Sequence, residues 1–196
     1  FDTTLWNQVS FNGGVYGIPQ DSGPMATYYQ HEILDGIGAQ PPTSWDNWAE
    51  LAKELRTDNR YIDVFPIADA STFCAYATQA GAQWLTPAED GWTINMTDEG
   101  TLTAARFFDD AINNDLVQTS FNAFTPAWFA AAAQGSLATV TSASWADALL
   151  EGVGGGSGKW KVAPMPTWSH GGYGSSFQGG STAAVLANSA HPKEAM

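Results

Sequence analysis

Short apolar runs of strand type alternate with amphipathic helical segments along most of this 196-residue sequence. Trp48, Leu51, Ala52 and Leu55, for example, recur at the spacing of one helix face. The strand-like runs include residues 62–67, 92–96, 137–141 and 182–187. Because alternation of the two types is typical of βα units, the sequence predicts an α/β fold with mostly parallel sheets.

A polar interruption lies near the start of the chain. Residues 21–24, Asp-Ser-Gly-Pro, separate two strand-like runs at residues 15–19 and 25–29. All four residue types are common in turns, each for its own conformational reason. The interruption therefore forms either a simple turn between two short strands or a functional group at a strand end.

The charge balance excludes several classes of ligand. Seven Lys and Arg residues stand against 20 Asp and Glu residues, which gives a formal net charge of −13. Such a surface repels nucleic-acid phosphates and anionic membranes, so we expect no nucleic-acid partner. The sequence also has no run of 18 apolar residues that could span a membrane.

The nine tryptophans are an informative excess. Some must fill the core, but an indole also covers the flat apolar face of a sugar ring while its N–H bonds to a hydroxyl. Cys74, the single cysteine, lies among apolar neighbours. We interpret it as a small buried hydrophobe rather than a nucleophile.

Motifs for catalysis are sparse. His31, His170 and His191 are scattered, without the i, i+4 spacing that suits a metal site. The sequence has no Gly-x-Ser-x-Gly nucleophile elbow. Acidic residues are numerous, however, so spacing alone leaves a two-carboxylate glycosidase open.

Polar residues next to aromatic residues follow or precede several strand-like runs, at residues 21–22, 69, 145 and 179–181. Ligands of open α/β sheets bind at the carboxyl ends of strands. A carboxylate beside an indole suits a neutral polyhydroxylated ligand, since the carboxylate accepts hydroxyl hydrogen bonds. Taken singly, each of these residues is better explained as a turn or a helix cap.

Four stretches together resemble a known family, the extracellular solute-binding proteins of family 1, which are sugar receptors of ABC importers. The order and spacing of the stretches support the resemblance more than any one of them does. They are residues 14–29, 41–55 (Pro-Pro-Thr-Ser-Trp-Asp and the helix after it), 129–145, and 159–166 with 179–181 and 189–195.

The resemblance implies an α/β, two-lobe periplasmic-binding-protein-like fold of type II, here incomplete at both ends, with lobes that close by a hinge. Residues 1–21 and 164–186 would be parts of the N-terminal lobe. Residues 22–163 and 187–196 would form most of the C-terminal lobe. The interruption at residues 21–24 would then be a hinge crossing rather than only a turn.

The resemblance also implies a set of ligand-binding residues and no catalytic residue, cofactor or metal. Trp145 matches the tryptophan that stacks on a sugar ring in the family. The other implied ligand contacts are Asp21, Ser22, Asp69, Gly180, Ser181 and Trp84, of which Trp84 is also explained by packing. Thr125 and Ser71 stand where a maltodextrin site has aromatic contacts, so the size of the ligand stays open.

The function implied is that of the substrate-binding component of an ABC importer. It would bind a sugar or short oligosaccharide in the cleft between the lobes and deliver it to the membrane subunits of a permease. The protein would be a monomer, extracellular or periplasmic, and a lipoprotein whose anchor lies outside this sequence. Two alternatives remain: a glycoside hydrolase with paired carboxylates in a Trp-lined cleft, and a peptide or metal receptor of the same fold.

Overall fold

One long strand, β3 (Ile18–Gln30), pairs with three other strands in the computed structural model, which describes residues 3–153 and 156–195. The helices are α1 (Thr3–Gln8), α2 (His31–Gly36), α3 (Trp45–Thr57), α4 (Ala70–Gln79), α5 (Glu99–Asn113), α6 (Pro126–Ala133), α7 (Ala146–Glu151) and α8 (Pro192–Ala195). The other strands are β1 (Ser10–Phe11), β2 (Gly14–Val15), β4 (Leu85–Ala88), β5 (Gly91–Ile94), β6 (Thr139–Ala143), β7 (Trp160–Ala163) and β8 (Phe177–Ala183).

The strand β3 runs without a break through residues 21–24, so the prediction of a simple turn there is wrong. The chain divides into two compact units, and one division falls inside β3, between Gly23 and Pro24. The other falls between Gln178 and Gly179, inside β8. The smaller unit comprises the residues before Pro24 and those after Gln178, and the larger unit comprises Pro24–Gln178.

The prediction of mostly parallel sheets is wrong for the registers that the structure defines. β3 pairs antiparallel with β6 on one side, with Thr27 opposite Thr141, and with β7 on the other. β4 and β5 form a separate antiparallel hairpin, as do β1 and β2. Among the pairings whose direction is defined in residues 3–153 and 156–195, the parallel ones are isolated bridges, such as the one between Val64 and Gln118.

Two further strand predictions need correction. Residues 62–67 form no strand, because Pro66 has no N–H to continue a ladder beyond the bridge at Val64. The last strand, β8, begins at Phe177 rather than at residue 182 and contains Gly179 and Gly180 at φ +84° and +121°. Those backbone angles are readily accessible only to glycine.

The first core of the larger unit is aromatic and lies among α3, α4 and α5. Trp45, at the start of α3, is 2% exposed and stacks on Trp168 at 5.0 Å between ring centroids. Its Nε1 donates to the side-chain oxygen of Gln79 at 2.9 Å. Ser44 caps α3 by accepting from the backbone N–H of Asn47. This core fixes α4, and with it the residues at the N-terminus of α4.

A second core packs α6, β6 and α7 around Trp128, which is fully buried. Tyr28 of β3, Val140 of β6 and Leu150 of α7 belong to the same cluster. Thr125 caps α6 by accepting from the N–H of Trp128, with Pro126 at the first helical position. This core places the start of α7 directly after β6.

The smaller unit contains α1, β1, β2, α8 and the outer parts of β3 and β8. The predicted division into lobes stays a prediction. Within the larger unit, Met165 and Trp168 belong to the aromatic core of α3, α4 and α5. No helix in residues 3–153 and 156–195 is long and apolar enough to cross a membrane.

Candidate functional site

A cavity of about 300 Å³ opens in the larger unit between the start of α4, the end of β6 and the start of α7. Most of its polar lining consists of carboxylates, hydroxyls and the two amides of Asn122 and Gln178. The lining residues that matter for the site are Asp63, Asp69, Thr72, Ser142, Trp145 and Gln178. The cavity therefore combines one half-exposed indole with hydrogen-bonding groups of both kinds.

Trp145 stands at the N-terminal end of α7, immediately after β6. It is 45% exposed, unlike the tryptophans of the two cores. Its Nε1 donates to the backbone oxygen of Gln178 at 3.3 Å, and Phe124 contacts its ring edge to face at 5.2 Å between centroids. The indole is thus held on two sides while part of its surface remains available for stacking.

Asp69 caps α4, so the helix-cap interpretation of this residue is correct, although the residue also lines the cavity. Its Oδ1 accepts from the N–H of Ser71 at 2.9 Å and from the hydroxyl of Ser71 at 2.6 Å. Its Oδ2 accepts from the hydroxyl of Thr72 at 3.1 Å. Burial raises the pKa of Asp69, but these hydrogen bonds outweigh burial and hold the pKa below its usual value.

The carboxylate of Asp69 is already well bonded. It offers about four acceptor sites, and the hydroxyls and backbone N–H groups of Ser71 and Thr72 all bond to it. Asp69 also lines the cavity. A ligand hydroxyl can therefore bond to Asp69 by sharing an oxygen with one of these donors.

Asp63 is a lining residue that the sequence analysis missed. It is 3% exposed, and its two oxygens accept from the backbone N–H groups of Val64 at 2.7 Å and Thr141 at 2.8 Å. Burial raises the pKa of Asp63 to about 7, against the effect of these hydrogen bonds. The sequence could have identified it as a buried, hydrogen-bonded carboxyl, because it lies between the apolar residues Ile62 and Val64 and a lone carboxyl is buried only where it has hydrogen-bond partners.

The remaining predicted ligand residues lie elsewhere. Trp84 does not line this cavity; it stacks on Phe73 and donates from Nε1 to Thr101 at 2.5 Å. Asp21, Ser22, Gly180 and Ser181 belong to the smaller unit.

Within the smaller unit, the hydroxyl of Ser181 donates to the carboxylate of Asp21. A Cβ on Gly180 would lie 3.1 Å from the carbonyl oxygen of Asp21, so the two crossing strands approach closely at this glycine. The structure therefore brings together Asp69 and Trp145 in one unit, and Asp21 and Ser181 in the other.

A second cavity, of about 450 Å³, lies between the β4–β5 hairpin and the start of α5. It contains none of the predicted ligand residues, and its one tryptophan, Trp168, is only 8% exposed. Such a buried ring offers no face for stacking. In the described residues, 3–153 and 156–195, no group of three or more His, Cys, Asp or Glu residues could hold a metal ion.

The family model of bacterial extracellular solute-binding proteins matches residues 1–196. The chain belongs to this family, and the resemblance inferred from its four sequence stretches is confirmed. The lactose-binding protein of Rhizobium radiobacter is 28% identical over 193 residues, which are 96% of this chain and 45% of that protein. The arabinooligosaccharide-binding protein of Halalkalibacterium halodurans is 22% identical over 201 residues, with 99% and 44% covered.

Solved structures match the whole chain. The ABC-transporter-associated binding protein of B. animalis subsp. lactis Bl-04, in complex with β-1,6-galactobiose, is 30% identical with a TM-score of 0.85. The galacto-N-biose-/lacto-N-biose I-binding protein of Bifidobacterium longum, in complex with lacto-N-biose, is 29% identical with a TM-score of 0.86. The chain is fully covered in both cases and spans 49% of each of those chains.

A third structure supports the fold alone. The GacH receptor of Streptomyces glaucescens is 22% identical with a TM-score of 0.78, over 98% of this chain and 49% of that one. The predicted fold class, an α/β fold of the type II periplasmic-binding-protein kind, is confirmed by these matches. The chain spans about half the length of the relatives that it matches.

Proposed function

We propose that this protein is the substrate-binding component of an ABC importer and binds a neutral sugar or short oligosaccharide. The observation that supports this most is the half-exposed indole of Trp145 on a cavity that also contains the carboxylate of Asp69. The sugar stacks on Trp145 and donates one hydroxyl to the carboxylate of Asp69. The net charge of −13 favours a neutral ligand over an anionic one.

The relatives narrow the panel of ligands. The proteins at 28% to 30% identity are named for, or solved with, lactose, β-1,6-galactobiose and lacto-N-biose. Each of these is a disaccharide with a β-linked galactose. We therefore propose galactose-containing disaccharides as the first candidates.

The protein acts as a receptor and not as an enzyme. A glycosidase needs two carboxylates that face each other across a cleft, one of them free to give a proton. Both oxygens of Asp63 accept backbone N–H groups, and Asp69 caps a helix. These two carboxylates line the cavity, and their bonding supports a binding role over catalysis.

The remaining parts of the proposal follow from the family. The protein is a monomer, anchored outside the cytoplasm as a lipoprotein, whose lobes close on the ligand by a hinge. Closure is what the permease recognises, since a ligand shifts the equilibrium toward the state that it binds better. Asp21, Ser22, Gly180 and Ser181 stay predicted ligand contacts on the two crossing strands, and Trp84 stays a prediction from the resemblance alone.

The test is calorimetric titration of the full-length protein that contains this sequence, with a panel led by lactose, lacto-N-biose and galactobiose. Trp145→Ala should weaken binding at least tenfold, or about 1.4 kcal/mol. Trp92→Ala is the matched control, because Trp92 is an exposed tryptophan that does not line the cavity, and it should bind as the wild type does. Absence of binding to every sugar, or conversion of any of them to a product, would refute the proposal.

A further inference from the structure

One buried residue, Gln178, is linked by hydrogen bonds to both candidate ligand residues, to Asp69 through Thr72 and to Trp145 directly. Gln178 is 9% exposed and is the last residue of the larger unit before Gly179. We propose that Gln178 is a positioning residue, which orients the carboxylate of Asp69 through Thr72 and the indole of Trp145 through its own backbone oxygen. The inference rests on the proposed sugar-binding role of those two residues.

The side chain of Gln178 fixes the direction of one proton. Its Nε2 donates to Oγ1 of Thr72 at 2.8 Å, and Oγ1 of Thr72 lies 3.1 Å from Oδ2 of Asp69. A threonine hydroxyl has a single proton. Because Gln178 already donates to this oxygen, the proton of Thr72 is directed to Asp69, and the two bonds strengthen each other.

The other end of the same amide is also held. Oε1 of Gln178 accepts from the hydroxyl of Ser142 at 3.1 Å, so the side chain is bonded at both of its polar atoms. Burial without those partners would be costly for an amide. The side chain therefore has one favourable orientation, with its nitrogen toward Thr72.

The backbone of Gln178 holds the second candidate ligand residue. Its carbonyl oxygen accepts from Nε1 of Trp145 at 3.3 Å. The next two residues, Gly179 and Gly180, have positive φ angles and no side chains of their own to anchor the segment. The two side-chain bonds of Gln178 thus keep its carbonyl in place and fix the plane of the indole.

This arrangement couples the two ligand contacts. A sugar that stacks on Trp145 and donates to Asp69 meets groups whose separation and orientation are set by one residue. Preorganisation of this kind lowers the ordering that binding would otherwise require. Loss of the Gln178 amide should weaken sugar binding even if the amide never contacts the sugar.

The test compares Gln178→Met with Gln30→Met. Gln30 is a matched control because it is also a buried glutamine with two side-chain hydrogen bonds, to the carbonyls of Ala132 and Leu137, and it neither lies on α4 nor lines the cavity. The first measurement needs no ligand: NMR titration of the Asp69 carboxyl in the full-length protein. The pKa of Asp69 should rise in Gln178→Met and in Thr72→Val, and it should not change in Gln30→Met.

The second measurement is the sugar affinity of the same variants. Gln178→Met should bind its best disaccharide at least tenfold more weakly, and the double variant with Thr72→Val should lose less than the product of the two single losses. An unchanged Asp69 pKa, or a raised pKa with unchanged affinity, would overturn the inference. If the wild type binds no sugar, the proposed function fails, whereas the NMR titration still decides whether Gln178 orients Asp69.

A second substitution keeps the inference testable if Gln178→Met does not fold. Gln178→Glu retains an acceptor for Ser142 but replaces the donor with a second acceptor facing Thr72. The proton of Thr72 should then turn from Asp69 to the new carboxylate, and the sugar should bind more weakly. Because the added negative charge raises the Asp69 pKa by itself, the affinity is the measurement that decides in this variant. Retention of the wild-type affinity would contradict the positioning role.

Discussion

The titration of Asp63 predicts an unusual pH dependence of stability. Burial raises the pKa of its carboxyl from the usual 3.8 to about 7 in the folded state. Between these values the unfolded chain loses the proton while the folded protein must keep it, so the unfolded state becomes favoured as the pH rises. The contribution of Asp63 is therefore fully present below about pH 4 and is lost as the pH approaches 7, at about 1.4 kcal/mol per pH unit.

The comparison that isolates this effect is between the wild type and Asp63→Asn. The asparagine does not titrate, and one of its polar atoms is a donor facing a backbone N–H, of Val64 or Thr141. The variant should therefore be less stable at pH 5, by about 1–3 kcal/mol. All other carboxylates are the same in the two proteins. The excess of the wild type's free energy of unfolding over that of the variant should therefore fall by about 2–3 kcal/mol between pH 5 and pH 7.

The assay is urea unfolding followed by far-ultraviolet circular dichroism at half-unit intervals from pH 4.5 to 8. The free energy of unfolding of each protein is plotted against pH, and the difference between the two curves is the quantity of interest. Parallel curves, or a wild type that gains on the variant as the pH rises, would refute the argument. Either result would mean that Asp63 is ionised in the fold and that its two N–H bonds outweigh burial.

Two further predictions concern stability away from the cavity. Gly100→Ala should lower the free energy of unfolding by about 1–3 kcal/mol, because the new Cβ would lie 2.3 Å from the backbone nitrogen of Ala82. Gly36→Ala is the control: its Cβ would have no atom within 4 Å, so it should be neutral or slightly stabilising. Equal effects of the two substitutions in thermal unfolding would contradict the close packing at Gly100. Arg56→Met removes the 2.6 Å ion pair with the exposed Asp115 and also the guanidinium that lies 4.0 Å above the ring of Tyr61. It should cost about 1–2 kcal/mol, and 1 M NaCl should remove only the ion-pair part of that cost. A cost that vanishes completely at high salt would show that the contact with Tyr61 contributes nothing.

The helices could be predicted because their signals are local. Trp48, Leu51 and Leu55 recur at helical spacing, and all three are buried on α3. Thr125 and Pro126 mark the start of α6 by hydrogen bonding and fixed φ, which depend only on neighbouring residues.

The sheet could not be predicted in the same way. Thr27 pairs with Thr141 across 114 residues, and no pattern within β3 identifies that partner or its direction. Gly179 and Gly180 were expected to precede the last strand and instead lie within β8. Strand pairing depends on the packing of distant elements, which local propensity does not record.

The candidate site was predictable in part. Trp145 was identified through a resemblance, and Asp69 through its place after a predicted strand. Thr72 and Gln178 were missed because neither has a charge or a motif that distinguishes it from other polar residues. Their importance lies in the contacts that they make across the larger unit, which appear only once the chain is folded.

The uninterrupted strand β3 has a consequence for biosynthesis. Its first partner, β6, follows more than 100 residues later, so at 5–20 residues per second a ribosome needs roughly 6–20 s to deliver it. Throughout that delay a 13-residue strand has two open edges, which is the form most prone to pair with another nascent chain. Pro19 and Pro24 lack the N–H that such pairing requires, and Asp21 adds a charge between them. Prolines and charges of this kind disfavour pairing between chains, so the segment from Pro19 to Pro24 should lower the tendency of the unpaired strand to aggregate.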